Sequence, residues 1–237
     1  MRIAIDAMGG DHAPEEMIKG AMEAVGYSGV EIVLVGKEAI LRARIDGLRH
    51  RHSGLSIIDA QDVVTTHESP IQAVKTKPDS SIAVGMGLVK GGEVSAFVSA
   101  GNTGAVAASA HLSLGLVDGV ERMALGLVYH AVSGPTLLLD VGANADCRPT
   151  FLVQFAHMGS AYIERMWGIP RPRVALLSIG EEETKGNRLV QQSHQLLKKA
   201  NLNFVGNVEG NSLNRGLADV IVTDGFTGNV VLKASEG

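Results

Sequence analysis

Cysteine is nearly absent: Cys147 is the only one in 237 residues. A lone cysteine excludes an intramolecular disulfide framework and points to a reducing compartment, the cytoplasm. Aromatic residues make up only 4%, so the core has to be built from small aliphatic side chains. There is no excess of positive charge. Lys and Arg number 21 against 25 Asp and Glu, a net charge of -4, which excludes the broad basic surface of a nucleic-acid binder. No apolar run is long enough to span a bilayer, and the chain enters a strand at Arg2 with no signal-peptide core. No His, Cys or carboxylate spacing reads as a metal site. Asp6, Asp11 and Asp224 could gather magnesium, with structural or capping roles as the alternative.

Glycine, at 29 residues, is what the chain has in plenty. Together with short aliphatic runs, it predicts many tight strand–helix turns and an α/β fold. Strands are expected at 3–8, 31–35, 55–58, 96–98, 123–129, 135–141, 173–179, 203–208 and 218–222, most of them followed by helical patterns. The near-continuous apolar runs suit a doubly wound, mostly parallel sheet with helices on both faces. One α/β domain over 1–237 is predicted, and the chain stops inside a helix, as a truncated chain would. Gly85-Met86-Gly87 is not a dinucleotide fingerprint, because its third glycine comes at Gly91 and no strand precedes it.

The chain is organised around Ala96 to Ala108, a short strand and a small-residue helix joined by Ser99-Ala100-Gly101-Asn102-Thr103-Gly104. Asn102 or Thr103 can cap that helix, whose first amides suit an anion such as phosphate. A turn that binds nothing is the alternative. Three further loops share this grammar: Gly9-Gly10-Asp11-His12, where Asp11 can cap; Thr184-Lys185-Gly186-Asn187; and Asp224-Gly225-Phe226-Thr227-Gly228-Asn229. Asp140-Val141-Gly142-Ala143-Asn144 adds a carboxylate and an amide at another strand end. On one sheet, these carboxyl-end loops would line a cleft with amide donors. Lys185 would add a positive charge there, unless it is a solvated lysine beside Glu181, Glu182 and Glu183.

Ile3-Ala4-Ile5-Asp6-Ala7-Met8-Gly9-Gly10-Asp11-His12-Ala13-Pro14 closely resembles the opening of the PlsX family, the bacterial phosphate acyltransferases of phospholipid synthesis. The 99–105, 140–144, 185–187 and 224–229 motifs match in the same order. The resemblance implies a fold like that of phosphate acetyltransferases and isocitrate dehydrogenases, and a homodimer. It implies transfer of a long-chain acyl group from acyl carrier protein to inorganic phosphate, with no cofactor. The product, acyl phosphate, would pass to a membrane acyltransferase. The protein would be cytoplasmic, with peripheral contact at the inner membrane face.

Holding phosphate against a thioester carbonyl is mainly positioning, and amide donors with Lys185 can do it. Lys185, His12 and Asn229 are the candidate catalytic residues, with His12 in the minor role of acid toward the leaving thiol. Candidate binding residues are Asp6, Gly9, Gly10, Asp11, Ser99, Gly101, Asn102, Thr103, Gly104, Asp140, Asn144, Gly186, Asn187, Asp224 and Gly225. Cys147 has no histidine near it in sequence, so direct transfer without an acyl-enzyme is expected. Arg42, Arg44, Arg49 and Arg51 form a basic stretch that could dock an acidic carrier, or be a solvated helix end. Two rival functions stay open: an NAD-dependent oxidoreductase of the isopropylmalate type, and a non-catalytic phosphate-binding scaffold for lipid enzymes.

Overall fold

Runs such as Ile32-Val33-Leu34-Val35 are buried on both faces, so strand formation here is driven by two layers of helices rather than one. The computed structural model describes residues 1–47, 54–131 and 134–236. The chain divides into two compact units, Met1–Gly115 and Leu116–Gly237.

The first unit holds β1 (Arg2–Asp6), α1 (Glu15–Ser28), β2 (Glu31–Gly36), α2 (Glu38–Asp46), β3 (Leu55–Asp59), α3 (Pro70–Thr76), α4 (Ser81–Lys90), β4 (Ala96–Val98) and α5 (Thr103–Leu114). Its sheet runs β3-β2-β1-β4, all parallel. Ile32 and Leu34 pack with Ile18, Ala21 and Leu41 of α1 and α2. Val33 and Val35 face the other way, toward Leu88 and Val94. The chain steps outward from β1 to β3 and then returns to the far side of β1. That reversal puts the topological switch point between β1 and β4, where open α/β sheets bind ligands.

The second unit holds β5 (Gly126–Ala131), β6 (Gly134–Leu139), α6 (Pro149–Trp167), β7 (Arg173–Ser178), α7 (Arg188–Leu197), β8 (Asn203–Glu209), a 3₁₀ turn (Gly210–Arg215), β9 (Val220–Val222) and α8 (Gly225–Glu236). The order is β5-β6-β9-β7-β8, with β5 alone antiparallel. Leu137 and Leu139 pack under α6, whereas Leu138 faces the opposite layer with Val231 and Leu232. α6 starts at Pro149, stops at Gly168 in a left-handed conformation, and buries Phe151, Leu152, Phe155, Ala156 and Ile163 along one stripe. Gly159 lets that stripe approach the sheet: a methyl group there would lie 2.9 Å from a Leu139 carbon.

Two expectations change. The strands form two sheets, not one, because residues 115–125 hold no strand and β5 then pairs back on β6 rather than with β4. Asp11 does not cap α1. The N-cap is Pro14, without a side-chain acceptor, because a turn from Gly10 (Ala13 N–H to Gly10 O, 3.3 Å) carries Asp11 out to solvent. The basic stretch is described in part: Arg42 pairs with Glu38 and Arg44 with Glu15, while Arg49 and Arg51 lie outside the described residues. Among the described residues, no helix is long and apolar enough to cross a membrane.

Phe155 is fully buried at the centre of α6. Phe155→Ala is expected to cost about 3–5 kcal/mol, read from urea unfolding; a loss below ~1 kcal/mol would contradict the packing of α6 on this sheet.

Candidate active site

Each unit fixes its site loops on a buried aspartate that ends a central strand. In the first unit, Asp6 is 1% exposed. Its Oδ1 accepts the Met8 amide (3.1 Å) and its Oδ2 the Ser99 hydroxyl (2.7 Å). The Gly101 amide in turn donates to Ser99 Oγ at 3.0 Å. The loop after β1 is thereby tied to the loop after β4, at the switch point. Gly9 is required here, since a side chain on it would collide with Asp6 Oδ2 and lie 2.8 Å from the Gly101 nitrogen. Gly10 takes a φ of 99°, against Ala100.

Asn102 does two jobs. Its Oδ1 caps α5 by accepting the Ala105 amide at 3.0 Å. Its Nδ2 donates to the Thr65 and Glu68 carbonyls at 3.2 and 3.3 Å. Thr103 and Gly104 supply the first amides of α5, and a side chain on Gly104 would strike Pro70. The Glu68–Lys77 ion pair braces the 65–69 loop, with Lys77 also donating to the Val63 carbonyl at 2.7 Å. The Lys77 ammonium holds the Glu68 carboxyl below the usual range. His12 and Asp11 are exposed on the same loop as Gly10.

In the second unit, β6, β9 and β7 are neighbours and parallel, so the loops that follow them share one edge of the sheet. Asp140 is fully buried. Its Oδ1 accepts the amides of Leu125, Gly142 and Ala143, at 3.0, 3.0 and 2.9 Å. Its Oδ2 accepts the Asn144 amide and side chain, both at 2.8 Å. Asn144 relays this order: Nδ2 also donates to Met123 O (2.7 Å), and its own carbonyl accepts the Gly225 amide (2.7 Å). Any side chain on Gly225 would meet Asn144 and Asp140. Asp224 caps the start of α8 through the Thr227 amide and hydroxyl, and Asn229 Nδ2 donates to the Val141 carbonyl at 3.1 Å.

The loop after β7 carries Lys185. Asn187 caps α7 through the Val190 amide (3.0 Å), and Gly186 has a φ of 92°. Glu183 pairs with Lys198, and the Lys198 ammonium lowers its carboxyl below the usual range. Among the described residues, the Lys185 ammonium has no ion-pair partner.

Two residues absent from the sequence reading hold this loop. His194 is 3% exposed and its Nδ1 lies 2.8 Å from Asn207 Oδ1, while Asn207 Nδ2 donates to Glu182 O at 2.9 Å. His194 sits on the apolar stripe of α7, which is the only local signal, and its partner comes from a different element. Cys147 lies beside the Asp140 network, its thiol 3.5 Å from the Asn144 carbonyl. Burial, with Asp140, Asp224 and Asp146 nearby, pushes its thiol up to about 11.

The architecture is that of the phosphotransacetylase fold. A phosphotransacetylase from Streptococcus pyogenes superposes with a TM-score of 0.73 over 100% of this chain and 81% of its own, at 17% identity. The sequence narrows this to a family. Residues 1–237 match the family described as "Fatty acid synthesis protein". Proteins named phosphate acyltransferase from Thermoanaerobacter pseudethanolicus and Heliobacterium modesticaldum are 50% and 52% identical over 100% of this chain and 70% and 71% of theirs. The chain belongs to this family, the PlsX-type phosphate acyltransferases.

Asp140→Asn is expected to destabilise the protein by about 2–4 kcal/mol in urea unfolding, since an amide NH₂ would then face N–H donors; unchanged stability would show that this carboxylate does not organise the loops. With its pKa near 11 rather than 9.0, Cys147 should alkylate with iodoacetamide about 100-fold more slowly at pH 8 than a free cysteine. Full reactivity at pH 8 would refute the burial argument.

Proposed function

We propose that the protein transfers a long-chain acyl group from acyl carrier protein to inorganic phosphate, giving acyl phosphate for phosphatidic acid synthesis. The observation that carries this reading is the unpaired Lys185 ammonium on a braced loop at the start of α7. Phosphate is already anionic at neutral pH, so the chain has to position it rather than activate it. A phosphate oxygen attacks the thioester carbonyl carbon, and the tetrahedral oxyanion collapses with cleavage of the C–S bond. The carrier thiolate leaves and takes up a proton. Lys185 and the first amides of α7, with Gly186 and Asn187 shaping the turn, hold phosphate and the developing oxyanion. In the first unit, Gly101, Asn102, Thr103 and Gly104 shape a helix start whose amides suit an anion.

The buried aspartates support the reaction indirectly. Asp6 and Asp140 give their oxygens to loop amides and side chains, which fixes the backbone that meets substrate. Asn144, Asp224 and Gly225 belong to the same scaffold, and Asn229 lies beside it at the start of α8. His12 is the candidate proton donor to the leaving thiol. A Cys147 thiol raised to about 11 is a poor nucleophile at neutral pH, which favours direct transfer over an acyl-cysteine. The same reading carries a cytoplasmic homodimer that passes its product to a membrane acyltransferase.

The test is hydroxylamine trapping of acyl phosphate from a long-chain acyl carrier protein, with and without phosphate. Phosphate-dependent trapping is expected, reduced about 100-fold in Lys185→Ala and retained in Cys147→Ser. No trapping by folded protein would overturn the assignment and turn attention to NAD binding.

A further inference from the structure

Two clefts of the second unit meet at Arg148. The smaller, about 510 Å³, is lined by Glu121, Arg122, Asp146, Cys147, Arg148 and Phe151. The larger, about 870 Å³, continues from Arg148 and Thr150 along α7, past Gln191, Gln192 and Gln195. Both guanidinium groups lie against one aromatic ring: Arg122 Cζ is 5.7 Å and Arg148 Cζ 5.9 Å from the centroid of Phe151. Neither arginine has an ion-pair partner among the described residues. Two of the neighbouring carboxylates are engaged, Glu121 by Gln154 and Glu183 by Lys198. Asp146 is the remaining one, without an ion pair among the described residues, so two stacked cations share the cleft with one such carboxylate. A guanidinium held on an aromatic face is pre-organised for a planar or tetrahedral oxyanion.

The larger cleft has a different chemistry. Its α7 wall is rich in side-chain amides. Gln191 donates to the Thr184 and Gly186 carbonyls at 2.7 and 3.1 Å, which makes that wall part of the loop that carries Lys185. The Gln192 side chain makes no hydrogen bond among the described residues, leaving its amide donors and acceptor for a ligand. A path that begins at two arginines, runs along amides and ends beside the Lys185 loop suits a chain with a phosphate ester at one end and amides along its length.

We propose that this path binds the phosphopantetheine arm of the acyl donor, with the phosphate ester between Arg122 and Arg148 and the amides along Gln192 and Gln195. The assignment rests on the acyl-carrier reading above. It makes Arg122, Arg148 and Gln192 donor-specificity residues, separate from those that hold inorganic phosphate.

Calorimetric titration of the full chain with 4′-phosphopantetheine, and separately with inorganic phosphate, tests this without turnover. Wild type is expected to bind the arm, and Arg122→Ala and Arg148→Ala to weaken it about tenfold or more, with Arg148→Lys recovering part of the loss. Inorganic phosphate binding should stay unchanged in all three. In turnover, KM for the acylated carrier should rise in the alanine variants and in Gln192→Ala, with KM for phosphate unaltered. No binding of the arm by wild type, binding indifferent to both arginines, or an equal loss for inorganic phosphate would overturn the proposal. Failure of wild type to form acyl phosphate, with arm binding still arginine-dependent, would instead count against the catalytic reading and leave the arm site standing.

Discussion

A buried Asp140 with no ion-pair partner among the described residues has to be satisfied by N–H donors, and that requirement shapes the second unit. Its oxygens take amides from both sides of the β6 terminus, from Leu125 before it and Gly142, Ala143 and Asn144 after it. Leaving such a group unsatisfied costs several kcal/mol, so the chain turns back on itself until every lone pair is used. Asn144 then passes the constraint to Gly225 and the start of α8. Asp6 repeats the device in the first unit, where Met8 and Ser99 are its donors. In both places a carboxylate is spent inside the protein to hold rigid backbone at the edge of a sheet.

The consequence is a division of labour between charges. Asp6 and Asp140 at their strand ends are buried and committed, while Lys185, Arg122 and Arg148 carry no ion pair among the described residues. These strand-end loops therefore present cations and helix amides at their surface, not the aspartates on which they depend. The glycines at 9, 104 and 225 belong to the same logic, because side chains there would fill the space that brings these loops together. Burial beside three aspartates also pushes the Cys147 thiol up to about 11, so it stays protonated at neutral pH.

Strands and caps were legible locally. Ile32-Val33-Leu34-Val35 and Leu137-Leu138-Leu139 read as buried strands because both side-chain faces are aliphatic. Asn102 or Thr103 reads as a cap because the pair sits directly before a helical pattern, and Asn102 accepts the amide three residues on. Asp11 offered the same local signal and fails as a cap, since a preceding turn decides where α1 begins. The strand order was not legible. Pairing of β9 between β6 and β7 joins residues more than forty positions apart, and no local pattern records it.

The sequence by itself determined the secondary structure, the strand-end loops and the family, because each is written in contiguous residues whose conformational preferences act over a few positions. Only the tertiary structure decided what those residues do. It separated the strands into two sheets, committed the Asp6 and Asp140 carboxylates to loop amides and side chains, and recruited His194 and Asn207 to brace the loop that carries Lys185. It also set Arg122 and Arg148, 26 positions apart, on one phenylalanine ring. Hydrogen bonds and stacking between distant segments form only after the layers have packed, so their partners are fixed by space rather than by sequence neighbours.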